Sequence, residues 1–170
     1  MIFVGIDPGI RPTICMKNQR DQFRFITLPT NPPNDDKDWQ DTFSRLIDLR
    51  HRLENFFEQN LLDRDFVVGV ESVAFGKPYR ASLMGKIELV IQDALFRYVT
   101  FNKVAMIAPT TMKKMIAGDG HAEKHEVRDA ILLMYPQIHH SRSDNEIDAA
   151  GICLVVERYY EVSTLKPENV

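Results

Sequence analysis

Apolar and polar positions along the chain follow two periods, which separate strands from helices. Short β-branched and aromatic runs bounded by Pro, Gly or Asn predict strands, whereas apolar residues spaced by three and four predict amphipathic helices. We expect strands over residues 1–7, 13–17, 23–28, 66–70 and 103–107. We expect helices over 39–60, 81–98, 110–117, 123–135 and 144–161, the last capped by Ser143 or Asp144.

The element order β-β-β-α-β-α-β-α-α-α predicts an α/β fold. An antiparallel N-terminal meander would be followed by parallel crossovers, giving a mixed five-stranded sheet flanked by helices. The Pro- and Asp-rich stretch 29–38 is too short for an interdomain linker, and no repeat is visible. We therefore expect a single domain over residues 1–170.

Composition excludes several classes of protein. The 170 residues are 44% hydrophobic and 26% charged, which is typical of a globular domain with a real core. No apolar run approaches the roughly 18 residues that cross a bilayer, and no signal peptide is visible, so we expect no membrane association. Cys15 and Cys153 are too few for a disulfide framework. They indicate buried small side chains and a reducing, cytoplasmic location.

The net charge of −3 argues against a protein coated with basic charge, but the charge is unevenly distributed. Residues 1–75 carry 9 basic and 12 acidic side chains, 76–128 carry 9 and 5, and 129–170 carry 3 and 7. The basic middle segment is either an ordinary solvated helix surface or a phosphate-binding face beside carboxylates.

Four acidic residues stand at the ends of predicted elements. Asp7 closes the first strand, Glu71 closes the fourth, and Asp144 and Asp148 share one face of the last helix. Taken singly, such acids most often serve as a turn residue, a helix cap or a first-turn acid. Together they suit Mg²⁺ or Mn²⁺, because clustered carboxylates repel and hard cations prefer oxygen ligands. Two such ions would support phosphodiester hydrolysis.

Ordered motifs over about 150 residues resemble the RuvC-like Holliday-junction resolvases of the ribonuclease H-like superfamily. They are GIDPG at 5–9 with Arg11 and Thr13, VGVES at 68–72, APTTMKKMIAGDGHAEKHEV at 108–127, and NEIDAAGIC at 145–153. GIDPG alone also opens actin-like kinases, but 170 residues leave no room for their two domains. The segment 108–127 is more specific.

The resemblance implies a homodimeric, Mg²⁺- or Mn²⁺-dependent endodeoxyribonuclease with two ions per site. It would resolve four-way DNA junctions by paired symmetric nicks, in a bacterial cell or, if phage-encoded, in the host cytoplasm. Asp7, Glu71 and Asp148 match metal-binding acids of the family. Lys113 matches an active-site lysine, and Lys124 matches one that contacts DNA phosphates.

The sequence departs from the family at two places. Asn145 stands where many relatives carry an acid, three residues before Asp148, and we expect Asp144 to supply the fourth carboxylate. Ala74 stands where relatives often carry a stacking aromatic, and Phe75 or Tyr79 would take over. The full set of expected DNA-binding residues is Phe75, Lys77, Tyr79, Arg80, Lys114 and Lys124.

These departures leave alternatives to a junction resolvase open. The chain could be a related flap or branched-DNA nuclease of broader specificity. It could also be a non-catalytic junction-binding protein with a decayed site.

Overall fold

The structure is a computed structural model that describes residues 1–9, 11–28, 39–72, 78–99, 103–140 and 142–164. Within these ranges it contains five strands and five helices in the expected order. The strands are β1 (Ile2–Asp7), β2 (Thr13–Asn18), β3 (Phe23–Thr27), β4 (Phe66–Glu71) and β5 (Val104–Ile107). The helices are α1 (Trp39–Leu61), α2 (Pro78–Leu95), α3 (Pro109–Ala117), α4 (Lys124–Met134) and α5 (Asp144–Thr164).

Helix α2 shows the largest difference from the predicted boundaries, because it begins and ends three residues early. Pro78 suits the first position of a helix, since its missing N–H would be unpaired there and its φ is already helical. At the other end, the N–H of Tyr98 donates to the Leu95 carbonyl (2.8 Å), a tighter turn that ends the α-helix. Hydrophobic spacing alone does not reveal either effect.

The sheet has the order β3-β2-β1-β4-β5. Strands β1, β2 and β3 pair antiparallel, whereas β1 pairs parallel with β4 and β4 pairs parallel with β5. The expected meander and parallel crossovers are therefore confirmed. Strand β1 occupies the centre of the sheet, with β4 as its parallel neighbour.

Helices cover both faces of the sheet. Val4 and Ile6 of β1 pack with α1 and α2 in one core, whereas Phe3 of β1 and Val67 of β4 pack with α3, α4 and α5 in the other. Successive strand residues point to opposite faces. Positions 3, 5 and 7 of β1 and 67, 69 and 71 of β4 therefore all face α5.

Two glycines let α5 lie directly on the sheet. A Cβ added at Gly5 would overlap the Ala149 carbonyl oxygen and approach the Cys153 Cα to 2.9 Å. A Cβ at Gly69 would lie 2.9 Å from Cγ2 of Ile152. At Gly5 the overlap is with backbone atoms of α5, so only glycine allows this close approach of helix and sheet, whereas at Gly69 the side chains of Ile107 and Ile152 would have to shift.

Two further expectations concern the cysteines and the membrane. Cys15 and Cys153 are both free and fully buried, which confirms their role as small core side chains. Among the described helices, none has the length and apolar content needed to cross a bilayer.

Candidate active site

Asp7 and Glu71 end neighbouring parallel strands on the same face of the sheet. Ile6 pairs with Val70, and each acid is the next residue on its strand. Neighbouring strands lie about 4.8 Å apart, so the two side chains leave the sheet close together. Asp7 is only 8% exposed, and its carboxylate accepts a hydrogen bond from the Gly9 N–H.

Helix α5 brings the third acid, Asp148, to this edge. Asp148 immediately precedes Ala149, whose carbonyl lies against Gly5, two residues before Asp7 on β1. The contact that requires Gly5 therefore also sets the height of Asp148 along the sheet. The Asp148 side chain is 22% exposed at the open rim of the site.

A capping box holds the start of α5. The Ser143 hydroxyl accepts the Glu146 N–H (3.3 Å), while the Ser143 N–H donates to the Glu146 carboxylate (2.9 Å). Ser143 is therefore the cap, one of the two predicted candidates. Glu146 also pairs with Arg142 at 2.7 Å and takes no part in the acidic cluster.

The three acids perturb one another electrostatically. Burial, reinforced by the charge of Asp148, raises the pKa of Asp7 to about 6. Burial, together with the charges of Asp7 and Asp148, raises the pKa of Glu71 to about 8. Burial also raises the pKa of Asp148. Largely buried carboxyls that disfavour each other's ionisation are typical of functional sites.

Two lysines offset part of this repulsion. The ammonium of Lys124 lies 3.6 Å from Oδ2 of Asp148, and its charge opposes the rise in the pKa of Asp7, Glu71 and Asp148. Half-buried Lys113 on α3 acts in the same direction on Glu71 and Asp148. The structure thus brings Asp7, Glu71, Asp148, Lys113 and Lys124 into one electrostatic cluster.

Asp144 lies at the rim and is engaged by cations. Its side chain is 56% exposed, and its Oδ1 accepts a hydrogen bond from Arg128 at 2.7 Å. The Arg128 hydrogen bond holds the pKa of Asp144 below its usual range. Asn145 and Asp7 both lie near Gly9. The Asn145 Nδ2 and the Asp7 Oδ1 lie 3.9 and 3.8 Å from the point where a Gly9 Cβ would stand.

The expected DNA-binding residues are only partly described. Phe75 and Lys77 lie outside the described residues, as do the side chains of Tyr79 and Arg80 at the start of α2. Lys114 is exposed on α3, and Lys124 is 63% exposed at the start of α4. Their part in DNA binding stays a prediction.

Sequence reasoning missed the glycines that assemble the site. Gly5-Ile6-Asp7 and Gly69-Val70-Glu71 share one pattern, in which a glycine precedes a strand-end acid by two residues. The alternation of a strand puts glycine and acid on one face, so the repeated pattern was the available signal.

A separate cavity of about 510 Å³ surrounds Lys17 near the opposite end of β1.

The donor set of the cluster fits a hard divalent cation. Asp7, Glu71 and Asp148 offer only oxygen, and their raised pKa values reflect charge that such an ion would neutralise. Among the described residues, no group of three or more Asp, Glu, His or Cys side chains is arranged so that it could hold a metal ion as it stands. The fit therefore lies in the chemistry and grouping of the carboxylates.

The sheet order and the flanking helices define a ribonuclease H-like fold, and carboxylates stand at the ends of its central strands. No protein-family profile matches the chain. It is 26% identical to the crossover junction endodeoxyribonucleases RuvC of Rhizobium leguminosarum and Rhizobium etli. Each alignment covers 89% of this chain and 86% of the relative.

Solved structures of Holliday junction resolvases share the fold of this chain. RuvC of Thermus thermophilus in complex with a Holliday junction substrate matches with a TM-score of 0.72 at 23% identity, over 96% of this chain and 97% of that one. The yeast mitochondrial Holliday junction resolvase Ydc2 matches with a TM-score of 0.58 at 16% identity, over 95% and 82%. The chain is thus similar to RuvC resolvases over most of its length, and both the expected resemblance and the expected fold class are confirmed.

Proposed function

We propose that the chain is a divalent-metal-dependent endonuclease that resolves Holliday junctions. The observation that carries this proposal is the electrostatic grouping of Asp7, Glu71 and Asp148 at the ends of β1 and β4 and on α5. The similarity to crossover junction endodeoxyribonucleases along most of the chain supports DNA junctions as the substrate. A homodimer would supply the two sites that paired symmetric nicks require.

Asp7, Glu71 and Asp148 would hold Mg²⁺ or Mn²⁺, two ions per site. Such ions, when bound, lower the pKa of water and stabilise the leaving oxygen in phosphodiester hydrolysis. Because Asp7 and Glu71 stand on adjacent rigid strands, their carboxylates are held in place before substrate arrives. Lys113 would offset the negative charge that develops on the phosphate.

Exposed Lys114 and Lys124 would bind DNA phosphates outside the reacting group. The predicted contacts of Phe75, Lys77, Tyr79 and Arg80 belong to the same proposed surface. Two buried free cysteines and a DNA substrate are consistent with work in a reducing cytoplasm.

The test is cleavage of a synthetic four-way junction with Mg²⁺ by the wild type, by Asp7→Asn and by Asp129→Asn. Asp129 is exposed on α4 and serves as the matched control. We expect paired nicks from the wild type and the control, and at least a hundredfold loss in Asp7→Asn. Binding without nicking by the wild type would instead indicate a junction-binding protein. Faster cutting of a flap than of the junction would indicate a broader branched-DNA nuclease.

A further inference from the structure

A row of alternating charges runs from the acidic cluster to the loop before α5. The Lys124 ammonium lies 3.6 Å from Oδ2 of Asp148 and 3.8 Å from Oδ2 of Asp144. Arg128 donates to Oδ1 of Asp144 at 2.7 Å. Arg128 also donates to the carbonyl oxygens of Arg142 (2.8 Å) and His140 (3.3 Å). Asp144 is thus anchored on one side by Arg128 and faces Lys124 on the other.

The two cations of this row are held very differently. Arg128 makes three hydrogen bonds and is largely covered, with a side chain that is 23% exposed. Lys124 is 63% exposed, and both of its ion pairs are longer than 3.5 Å. Loose, exposed pairs of this kind are weak and exchange readily. Lys124 can therefore leave the acids without disturbing the fold.

The location of Lys124 is not explained by the stability of its own helix. It is the first residue of α4, where the helix dipole disfavours a positive charge. The Glu123 capping box already provides that helix start with side-chain partners. Attraction to Asp144 and Asp148 of α5 does account for a lysine here.

We propose that Lys124 is a built-in counterion that offsets part of the negative charge of the acidic cluster until a divalent cation displaces it, and that Asp144 is a positioning residue that holds Lys124 there. The inference rests on the proposed function, since it assumes that Asp148 is a metal ligand. It gives Asp144 a role through Lys124 in place of direct coordination. A released Lys124 is free to bind a DNA phosphate, so metal loading and DNA binding favour each other.

The expected size of the effect follows from the exposure of Lys124. Exposed ion pairs shift an equilibrium by about twofold to fivefold, and a divalent ion is repelled more strongly than a monovalent one. Removing the lysine charge should therefore tighten Mn²⁺ binding by about threefold to tenfold. The gain should shrink in ~0.5 M salt, where the Debye length is only a few ångströms.

The experiment is calorimetric titration of MnCl₂ into metal-stripped protein without DNA. Lys124→Met is compared with the wild type, Lys124→Arg and Lys86→Met, which removes an exposed lysine of α2 on the other face of the sheet. We expect tighter binding only in Lys124→Met. Wild-type affinity in Lys124→Arg would show that the charge is responsible. Thermal melts establish that each variant is folded.

A double variant separates the two roles of Asp144. If Asp144 acts only through Lys124, adding Asp144→Asn to Lys124→Met changes Mn²⁺ affinity by less than about threefold. A loss of tenfold or more would make Asp144 a ligand and overturn its positioning role. Equal affinity of Lys124→Met and Lys86→Met would overturn the counterion role. Equal Mn²⁺ binding by the wild type and Asp148→Asn would instead contradict the proposed metal site itself.

Discussion

The carboxyl group of Glu71 should oppose folding stability in the metal-free protein, and Glu71→Gln measures by how much. Burial and the neighbouring acids raise the pKa of Glu71 from 4.5 to about 8. The folded protein therefore binds this proton more tightly than the unfolded chain does. The stability from this proton is fully present below pH 4.5 and declines as the pH rises toward 8. Because Gln cannot ionise, the stability of Glu71→Gln does not show this decline.

The magnitude follows from the pH interval. At about 1.4 kcal/mol per pH unit, raising the pH from 4.5 to 7 lowers the wild-type free energy of unfolding by up to about 3 kcal/mol. For a chain of this size, Glu71→Gln should therefore melt about 6–12 °C higher at pH 7. The difference should nearly vanish at pH 4.5.

The assay is thermal unfolding in EDTA at several pH values. Glu58→Gln on the exposed surface of α1 is the control and should follow the wild type. Saturating Mn²⁺ should then raise the melting temperature of the wild type but much less that of Glu71→Gln, because binding to the folded state stabilises it. If Glu71→Gln is no more stable than the wild type at pH 8 in EDTA, the carboxyl is not repelled in the way that we infer.

Three further substitutions test the contacts that hold α5 in place. Gly5→Ala should lower the free energy of unfolding, measured by denaturant titration, by more than about 3 kcal/mol and should abolish nicking, because its methyl group would displace α5. The control is Gly85→Ala, which has open space around it and should change stability by at most about 1 kcal/mol. Lys17→Met should cost about 3 kcal/mol by leaving the Glu157 carboxylate, 2.5 Å from Nζ, without its ammonium. Adding Glu157→Gln should recover much of that loss, and a double variant as unstable as Lys17→Met would refute the pairing argument. Ser143→Ala should lower stability by about 1 kcal/mol through loss of the α5 cap, and an unchanged melting temperature would contradict it.

Local patterns in the sequence predicted the elements and the sheet because each pattern carries its own physical cause. The β-branched run before Glu71 and the spacing of three and four in α1 reflect burial on one or both faces, which any fold must satisfy. The strand-end positions of Asp7 and Glu71 were visible for the same reason. The boundaries of α2 were missed because they depend on Pro78, which suits a helix start, and on the turn bond from Tyr98 to Leu95, and the hydrophobic period records neither.

Only the tertiary structure decided how the acids relate to one another. The sequence spacing places Asp144 and Asp148 on one helix face and does not distinguish them. In the structure, Arg128 of α4 binds Asp144, whereas Asp148 lies beside the sheet. No local pattern reveals this, because Arg128 and Lys124 reach the acids from another helix. The sequence by itself determined which side chains can form an acidic site. The close approach of α5 at Gly5 and Gly69, a packing contact between distant segments, decided which carboxylates share one electrostatic environment.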